Sequence, residues 1–445
     1  MLEFIRMWLT LVSLVLFAVA LWLGLYLLAR DFRKAHLLWS GLGLAAYALA
    51  IAAYSLQLAA NGSIVWARIH TALLMWPACL WLGSVAALAP AAWPLRAWRL
   101  VGVPAAVLLT ALILFSDWIF GPLFLIYGAL VVGSALAALL LAVWIFRTTR
   151  NRSLSFLNVG ALFFALSSGA LFLQLEWWSP EWTLMLLGLD VLWLGVSIAA
   201  FDAFDEGETL LPDMLRSLAA SAFSASLFGG LMALAVWQTG GLNFIGQVLI
   251  LITLAAALTT QVLADGVQAA LDALIFARLP RLRRARADLR AVANALPRIE
   301  PELNLAQLDE AEFARLTRRA LSHLGDLPRL AASPLMALPA LNQAENALER
   351  AAQLKQLLTA SIQQLKPPGP AEFGTSDEWR HYNALYFPYV CGLKPYTRRA
   401  EPNGHSPASQ QALAWFQASV PERTLHNWQN AAAKLVARHL RETGF

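Results

Sequence analysis

Nine long apolar stretches dominate the first ~265 residues and restrict the fold more than any other feature. A helix that crosses a bilayer needs about 20 mostly apolar residues, and lipid offers the backbone no hydrogen-bond partners. We therefore predict an all-α fold: a polytopic membrane bundle of about nine spans (seven plus two), followed by a small, mainly helical cytoplasmic domain. The predicted spans are Met7–Ala29, Leu37–Leu58, Ile69–Leu88, Leu100–Phe115, Pro122–Phe146, Leu154–Leu175, Trp182–Phe201, Leu215–Trp237 and Phe244–Leu263.

The fourth predicted span is short for a full crossing. Basic residues in the short loops indicate the orientation, because cytoplasmic loops are enriched in Lys and Arg. The first, third and fifth loops hold Arg30, Arg33, Lys34, Arg96, Arg99, Arg147, Arg150 and Arg152. With nine spans, the N-terminus lies outside and the C-terminus inside, and we expect a multi-pass protein of a bacterial inner membrane.

Charge separates the chain into two regions. After Ala277 lie 22 of the 33 Lys and Arg residues but only 15 of the 28 Asp and Glu residues, a net charge of +7. We predict a membrane domain over residues 1–205, two further transmembrane helices over 206–264 and a basic juxtamembrane helix or stalk over 265–300. A helical segment over 301–366 and a helix-turn-helix-like output domain over 367–445 follow. The stalk either pairs two chains into a homodimer or packs on its own domain. Its basic face, with Arg281, Arg284 and Arg286, would also attract anionic lipid headgroups.

The end of the seventh span carries a family resemblance. The stretch Leu194–Leu234 (LGVSIAAFDAFDEGETLLPDMLRSLAASAFSASLFGGLMAL) resembles the end of the N-terminal seven-helix sensor region of bacterial histidine kinases. Phe201, Phe204 and Asp205 follow the rhythm of the ARYRLFDID run of that family, although its arginines are absent. The resemblance implies a sensor or receptor module for signal transduction, dimeric, with an unknown small or lipophilic ligand.

A second stretch, Asp265–Leu279, resembles the juxtamembrane segment of the same family, with Asp272 and Phe276 in register. The resemblance covers about residues 1–290 and does not extend to the kinase. His323 is followed by Leu324 where a phosphoacceptor box has an acidic residue, and the later glycines are isolated, whereas an ATP site needs clustered glycines. We expect no enzymatic activity, no cofactor and no metal site.

Ionisable and aromatic side chains in the spans are candidate ligand contacts. Asp190 lies near the middle of the seventh span, where a carboxylate costs several kcal/mol unless it is protonated or paired. It is either a ligand contact, a proton site or a switch element, or a polar group satisfied by a neighbouring Ser, Trp or backbone group. The other candidates are Arg68, His70, Glu176, Trp178 and Trp193. The alternatives for them are snorkelling at the interface and an aromatic belt.

The C-terminal sequence QQALAWFQASVPERTLHNWQNAAAKLVARHLRE predicts a helix, a tight turn and a second helix. Its centre resembles the opening of recognition helices in small bacterial helix-turn-helix domains, through Val420, Arg423, Thr424, Leu425 and Trp428. The 3-4 spacing predicts that Leu425, Trp428, Ala432, Leu435 and His439 face inward.

The opposite face of that second helix supplies the candidate DNA contacts Arg423, Asn427, Asn430, Lys434 and Arg438. Arg and Asn are the residue types that pair bidentately with guanine and adenine edges. The alternatives are a solvated face, a docking surface for a cytoplasmic protein and a membrane-proximal scaffold. Two functions remain: a membrane sensor that relays a ligand or membrane state to a tail that binds protein or DNA, such as a membrane-bound transcriptional regulator, or a non-catalytic membrane subunit or scaffold.

Overall fold

The computed structural model describes residues 2–115, 122–149, 154–173, 180–206, 210–238, 243–275, 305–341, 347–396 and 406–444. Every regular element in these ranges is helical, which confirms the all-α class. The chain forms two compact units. We call Met1–Phe204 with Met214–Leu271 the membrane unit, and Asp205–Asp213 with Asp272–Phe445 the C-terminal unit.

Eight helices among the described residues are long and apolar enough to cross a membrane, so the protein is a multi-pass membrane protein. One further apolar helix, which spans Leu154–Leu173, coincides with the sixth predicted span. The helices up to the C-terminal unit are α1 (Leu2–Asp31), α2 (Ala35–Ala59), α3 (Ile64–Leu74), α4 (Trp76–Leu88), α5 (Trp93–Ala97), α6 (Val103–Phe115), α7 (Pro122–Thr149), α8 (Leu154–Leu173), α9 (Pro180–Glu206), α10 (Leu210–Gln238), α11 (Phe244–Val262) and α12 (Ala264–Ile275).

The fourth span differs from its predicted range. A π-helical turn, Trp98–Gly102, joins α5 to α6, so the helical run extends over 23 residues from Trp93. Pro104 lacks the amide proton that a regular helix would donate four residues back, and a π turn accommodates such a gap. The run is longer than predicted because Arg96 and Arg99, taken as loop residues, lie on the exposed side of the helix while Trp98 is buried.

Close helix packing in the membrane unit depends on small residues. The carbonyl oxygen of Gly41 would lie 2.8 Å from a Cβ added at Gly24, so α1 and α2 approach backbone to backbone. Small residues allow such approaches in membranes, where packing rather than the hydrophobic effect holds helices together.

Asn243 caps α11 by accepting a 2.7 Å hydrogen bond from the Gly246 amide.

The C-terminal unit contains the helices α13 (Glu310–Ser322), α14 (Leu327–Ala331), α15 (Ala347–Gln363), α16 (Arg380–Leu385), α17 (Pro407–Ser419) and α18 (Glu422–Gly444). Short 3-10 and π turns lie between them, at Leu305–Gln307, Pro334–Ala337, Pro339–Leu341, Asp377–Trp379 and Tyr386–Val390. The helical segment predicted over 301–366 contains α13 and α15, and the predicted terminal helix pair corresponds to α17 and α18.

Two apolar clusters form the core of this unit. The larger combines α13, α15 and the second half of α18, with Phe313, Leu358 and Leu440 fully buried. The smaller surrounds the turn between α17 and α18 and includes Phe387 and Phe416. The aromatic stretch Trp379–Tyr389 therefore contributes to packed interior.

One residue predicted to face inward on α18 does not. Leu435 is 38% exposed, whereas its neighbour Val436 is buried. Because α18 packs against both α13 and α15, its buried stripe follows Ala432, Val436 and Leu440 instead. Trp428 and His439 are half-buried.

Candidate functional site

Asp190 lies near the middle of α9 and makes its described hydrogen bond to the neighbouring helix α8. Ser167 Oγ donates to Asp190 Oδ2 at 2.5 Å. The Asp190 residue is half-buried, so the serine satisfies one carboxylate oxygen without enclosing the group. A carboxylate at this depth of an apolar helix therefore reaches the outer surface of the helix bundle.

A side chain of α2 holds α9 in position about two helical turns before Asp190. The buried Tyr47 hydroxyl donates to the carbonyl oxygen of Leu184 at 2.7 Å. Gly188 leaves room for that hydroxyl, because any side chain there would collide with it. The sequence around Asp190 thus folds so that a tyrosine and a glycine set the position of α9 against α2.

Trp193 follows Asp190 by one turn of α9 and faces the same neighbour. Its indole Nε1 donates to the carbonyl oxygen of Phe156 on α8 at 3.1 Å, and the side chain is about half exposed. Asp190 and Trp193 therefore both join α9 to α8. The other two candidates from this region, Glu176 and Trp178, lie outside the described residues.

Arg68 and His70, both on α3, make contacts with different helices. The Nη1 of Arg68 donates to the carbonyl oxygen of Leu114 on α6 at 3.4 Å. Nδ1 of His70 lies 2.9 Å from the carbonyl oxygen of Ala50 on α2, and the ring lies 5.3 Å from that of Tyr54. These contacts lead to α6 and α2, whereas the contacts of Asp190 and Trp193 lead to α8.

A buried ion cluster at one end of the bundle escaped sequence analysis. The Asp202 carboxylate, with its side chain only 3% exposed, lies 2.8 Å from Arg30 Nε, 2.5 Å from Lys34 Nζ and 3.3 Å from His36 Nε2. The cluster joins the α1–α2 connection to the end of α9. The sequence analysis interpreted Arg30 and Lys34 only as orientation signals and gave Asp202 no role. The available signal was the presence of opposite charges at the ends of two predicted spans.

The candidate DNA contacts on α18 do not share one environment. Arg423, Asn427 and Lys434 are exposed, as a recognition surface requires. Asn430 is half-buried. The Nη2 of Arg438 lies 3.3 Å from Glu310 Oε1 on α13, and both side chains are exposed. Three of the five candidates therefore lie exposed on one helix face, and a fourth is exposed but paired with an acid.

The first turn of α18 is held in place by its surroundings. The Tyr396 hydroxyl donates to the carbonyl oxygen of Val420 at 2.7 Å, within the turn that precedes α18. Burial and the nearby Glu422 raise the pKa of Tyr396, so this hydroxyl stays a donor at neutral pH. Trp415 on α17 stacks on Trp428 with ring centroids 5.9 Å apart. The exposed residues Arg423 and Asn427 therefore project from a fixed scaffold.

The far end of α18 is anchored by Arg441, which the sequence analysis did not single out. Its Nη2 donates to the carbonyl oxygens of Leu308 and Asp309, and its guanidinium lies 4.9 Å above the Phe313 ring. A positively charged residue near the end of a helix gave no indication of these partners.

Comparison with other proteins assigns the chain to no family. The sequence matches no family model, and no characterised protein and no solved structure shows significant similarity to it. The likeness to sensor regions of histidine kinases and to helix-turn-helix domains therefore rests on the sequence motifs alone.

Proposed function

We propose that the protein is a membrane sensor, which relays the binding of a small or lipophilic ligand to a cytoplasmic C-terminal domain. The observation that carries the proposal is the half-buried Asp190 carboxylate, held by Ser167 between two apolar helices. Ionisable groups at this depth are costly, and they mark ligand, ion or partner sites by default. A ligand that binds one arrangement of α8 and α9 better than another would shift their equilibrium.

Nine crossings with a cytoplasmic C-terminus form part of this proposal. The contact of Arg30 with Asp202 supports an arrangement in which the end of α1 and the end of α9 lie on the same side of the membrane. In that arrangement, an even number of crossings separates them. The runs α2, α3–α4, α5–α6, α7 and α9 supply five, so α8 is needed as a sixth, which supports the seven-plus-two layout.

The proposed output is the exposed face of α18. Arg423 and Asn427 lie in its first two turns, from which recognition helices present side chains to base edges. DNA and a cytoplasmic protein are the two candidate partners. DNA binding predicts a steep dependence on salt, since each neutralised phosphate releases a counterion.

The ligand branch is tested by a thermal-shift screen of the full-length protein in detergent, comparing wild type with Asp190→Asn. Glu181→Gln is the matched control, because Glu181 lies on the same helix and also accepts one hydrogen bond, from Tyr54 at 3.3 Å. We expect ligand-induced shifts that disappear in Asp190→Asn and persist in Glu181→Gln. Shifts that persist unchanged in Asp190→Asn would remove Asp190 from the ligand site.

The output branch is tested by DNA retention on the full-length protein in nanodiscs. Arg423→Ala with Asn427→Ala should abolish specific retention, because both side chains are exposed. Arg318→Ala with Gln307→Ala likewise removes one guanidinium and one carboxamide from exposed positions elsewhere in the unit and should leave retention intact. Equal retention by the two double variants, or none by the wild type, rejects the DNA branch and leaves a protein partner.

A second function, a non-catalytic membrane subunit or scaffold, is favoured by the small size of one space inside the described membrane helices. This cavity, lined by Ser40, Trp81 and Val191, among others, measures about 10 Å³, the space of a single water molecule. A scaffold needs no ligand, and Asp190 then serves only its contact with Ser167. A stability cycle over Ser167→Ala and Asp190→Asn should then show coupling near ~0.6 kcal/mol while no compound shifts the unfolding temperature.

A further inference from the structure

Helix α12 exposes a continuous apolar stripe. Val267 is 50% exposed, Leu271 49%, Leu274 76% and Ile275 69%. These four residues fall within about 100° of the helix circumference. Asp272, on another side of the helix, is buried.

This exposure contrasts with the rest of the chain beyond the last span. From Leu305 onward, within the part that the structure describes, the exposed large apolar side chains are Tyr396 and Leu435, at 37% and 38%. The described chain from Leu305 onward thus buries its apolar residues as a water-exposed domain does. The four side chains on the twelve-residue α12 instead match the lipid-facing surface of the membrane helices.

The position of α12 explains why lipid is within its reach. Helix α11 has 19 residues, about 28 Å at 1.5 Å per residue, close to the ~30 Å of a hydrocarbon core. The helix ends at Leu263, where the backbone leaves helical geometry, and α12 begins at the next residue. The chain therefore starts α12 at the boundary between hydrocarbon and headgroups.

A second copy of the chain is the competing partner, and the heptad pattern disfavours it. With Val267, Leu271 and Leu274 as successive core positions, the next two core positions are Arg278 and Arg281, with Pro280 between them. A coiled coil needs an apolar seam sustained over several heptads. The apolar stripe of α12 ends after two.

The charge that follows α12 fits an anionic surface. Six arginines and one acid, Asp288, lie between residues 278 and 290, the arginines being Arg278, Arg281, Arg283, Arg284, Arg286 and Arg290. Basic residues close to an anionic bilayer are attracted to its headgroups. A helix with one apolar face beside such a run has the composition of an interfacial anchor.

We propose that α12 is an in-plane anchor, which lies at the bilayer surface with Val267, Leu271, Leu274 and Ile275 among the acyl chains, and that the basic sequence after it adds attraction to anionic headgroups. The inference rests on the exposed stripe of α12 and on the charge of that sequence, and it does not require the protein to be a sensor. The anchor sets where the chain leaves the membrane on its way to the C-terminal unit.

The test places a fluorescent nitrobenzoxadiazole label on single cysteines of the full-length protein, in a background with Cys79→Ser and Cys391→Ser. Leu274→Cys reports on the apolar stripe. Gly266→Cys is the matched control, because Gly266 is exposed, has no atom within 4 Å of an added Cβ and lies about 130° from the centre of the stripe. Both proteins are placed in nanodiscs that contain spin-labelled lipid, with and without phosphatidylglycerol.

We expect lipid to quench the label at position 274 about threefold more strongly than the label at 266, although 266 lies nearer the last span. Quenching should increase with phosphatidylglycerol, and the variant with Arg281→Ser, Arg283→Ser and Arg284→Ser should lose that increase. Equal quenching at the two positions overturns the proposal, as does efficient disulfide formation between two Leu274→Cys chains, which would identify a second copy as the partner. An increase that survives the arginine substitutions would contradict the headgroup contact.

Discussion

The two units of this chain both have apolar cores but differ in the side chains that they expose. The C-terminal unit encloses Phe313, Leu358 and Leu440 and leaves charged residues such as Arg423 exposed. The membrane unit exposes large apolar side chains and encloses an ion pair, with Arg30 and Asp202 each only 3% exposed at the side chain. Water drives apolar groups together in the first case, whereas lipid leaves polar contacts and close backbone packing to hold helices in the second.

The largest test of this contrast removes the acid from the buried ion cluster. Asp202→Asn leaves Arg30 and Lys34 without their carboxylate, and breaking a buried pair costs about 3–5 kcal/mol. Reversible unfolding of the purified protein in mixed micelles measures the loss. Asp31→Asn is the control, because that carboxylate accepts an exposed hydrogen bond from the Arg33 amide. Equal stability of the two variants would mean that the ion pairs of Asp202 do not stabilise the membrane unit.

The next test concerns backbone packing between α1 and α2. Gly24→Leu forces a side chain against the Gly41 carbonyl, and we expect a loss of about 3 kcal/mol in the same unfolding assay. Gly133→Leu introduces the same side chain at an exposed position of α7 with no atom within 4 Å of the added Cβ. That control should unfold like the wild type. If both variants lost the same stability, the helix contact would not be the cause.

In the C-terminal unit, the corresponding test removes a charged anchor. Arg441→Ala deletes the donors to the Leu308 and Asp309 carbonyls and the contact above Phe313, for an expected loss of about 2 kcal/mol. Hydrogen exchange of α13 and α18 amides in the full-length protein reports this loss locally. Arg423→Ala, at an exposed position of the same helix, should leave exchange unchanged. Faster exchange in both variants would point to charge rather than to these contacts.

The smallest expected effect is a pH dependence at His381. Burial, and then the neighbouring Arg380, lower the pKa of His381, while Asp377 and the Trp428 backbone act in the opposite direction. Protonation is therefore harder in the folded state, so the stabilisation is present above the unfolded pKa of about 6.5 and is lost as the pH falls below it. Protection factors of α16 amides, which are corrected for the pH dependence of intrinsic exchange, should fall from about pH 7 to about pH 5.5, and His381→Gln should flatten that fall. His426→Gln, at an exposed position of α18, should leave the fall unchanged. A fall in protection that survives His381→Gln would exclude His381 as its source.

The membrane helices were predictable from sequence, because a long apolar segment in lipid must satisfy its own backbone hydrogen bonds and therefore forms a helix. The range of the fourth span was wrong, since a helix can carry Arg96 and Arg99 on its exposed side and bury Trp98 between them. The side chain that satisfies Asp190 was not identifiable beyond its type. Ser167 lies 23 residues earlier on another helix, and helical periodicity gives no information on which helices are neighbours.

The face of α18 shows a further limit of sequence reasoning. The 3-4 spacing indicated an amphipathic helix, but two flanking helices widened and rotated its buried stripe, so Val436 rather than Leu435 faces inward. Exposure of Arg423, Asn427 and Lys434 followed from the same spacing. Whether Arg438 meets an acid depended on α13, which lies more than a hundred residues earlier in the chain.

The ion cluster also constrains the order of events during synthesis. Arg30 and Asp202 are 172 residues apart, and ribosomes add about 5–20 residues per second, so roughly 9–34 s separate the two. During that interval, the hairpin of α1 and α2 is available for insertion, whereas the carboxylate that joins its connection to α9 has not been made. This contact between the first and the seventh predicted spans can therefore form only late in synthesis, after α9 has been added.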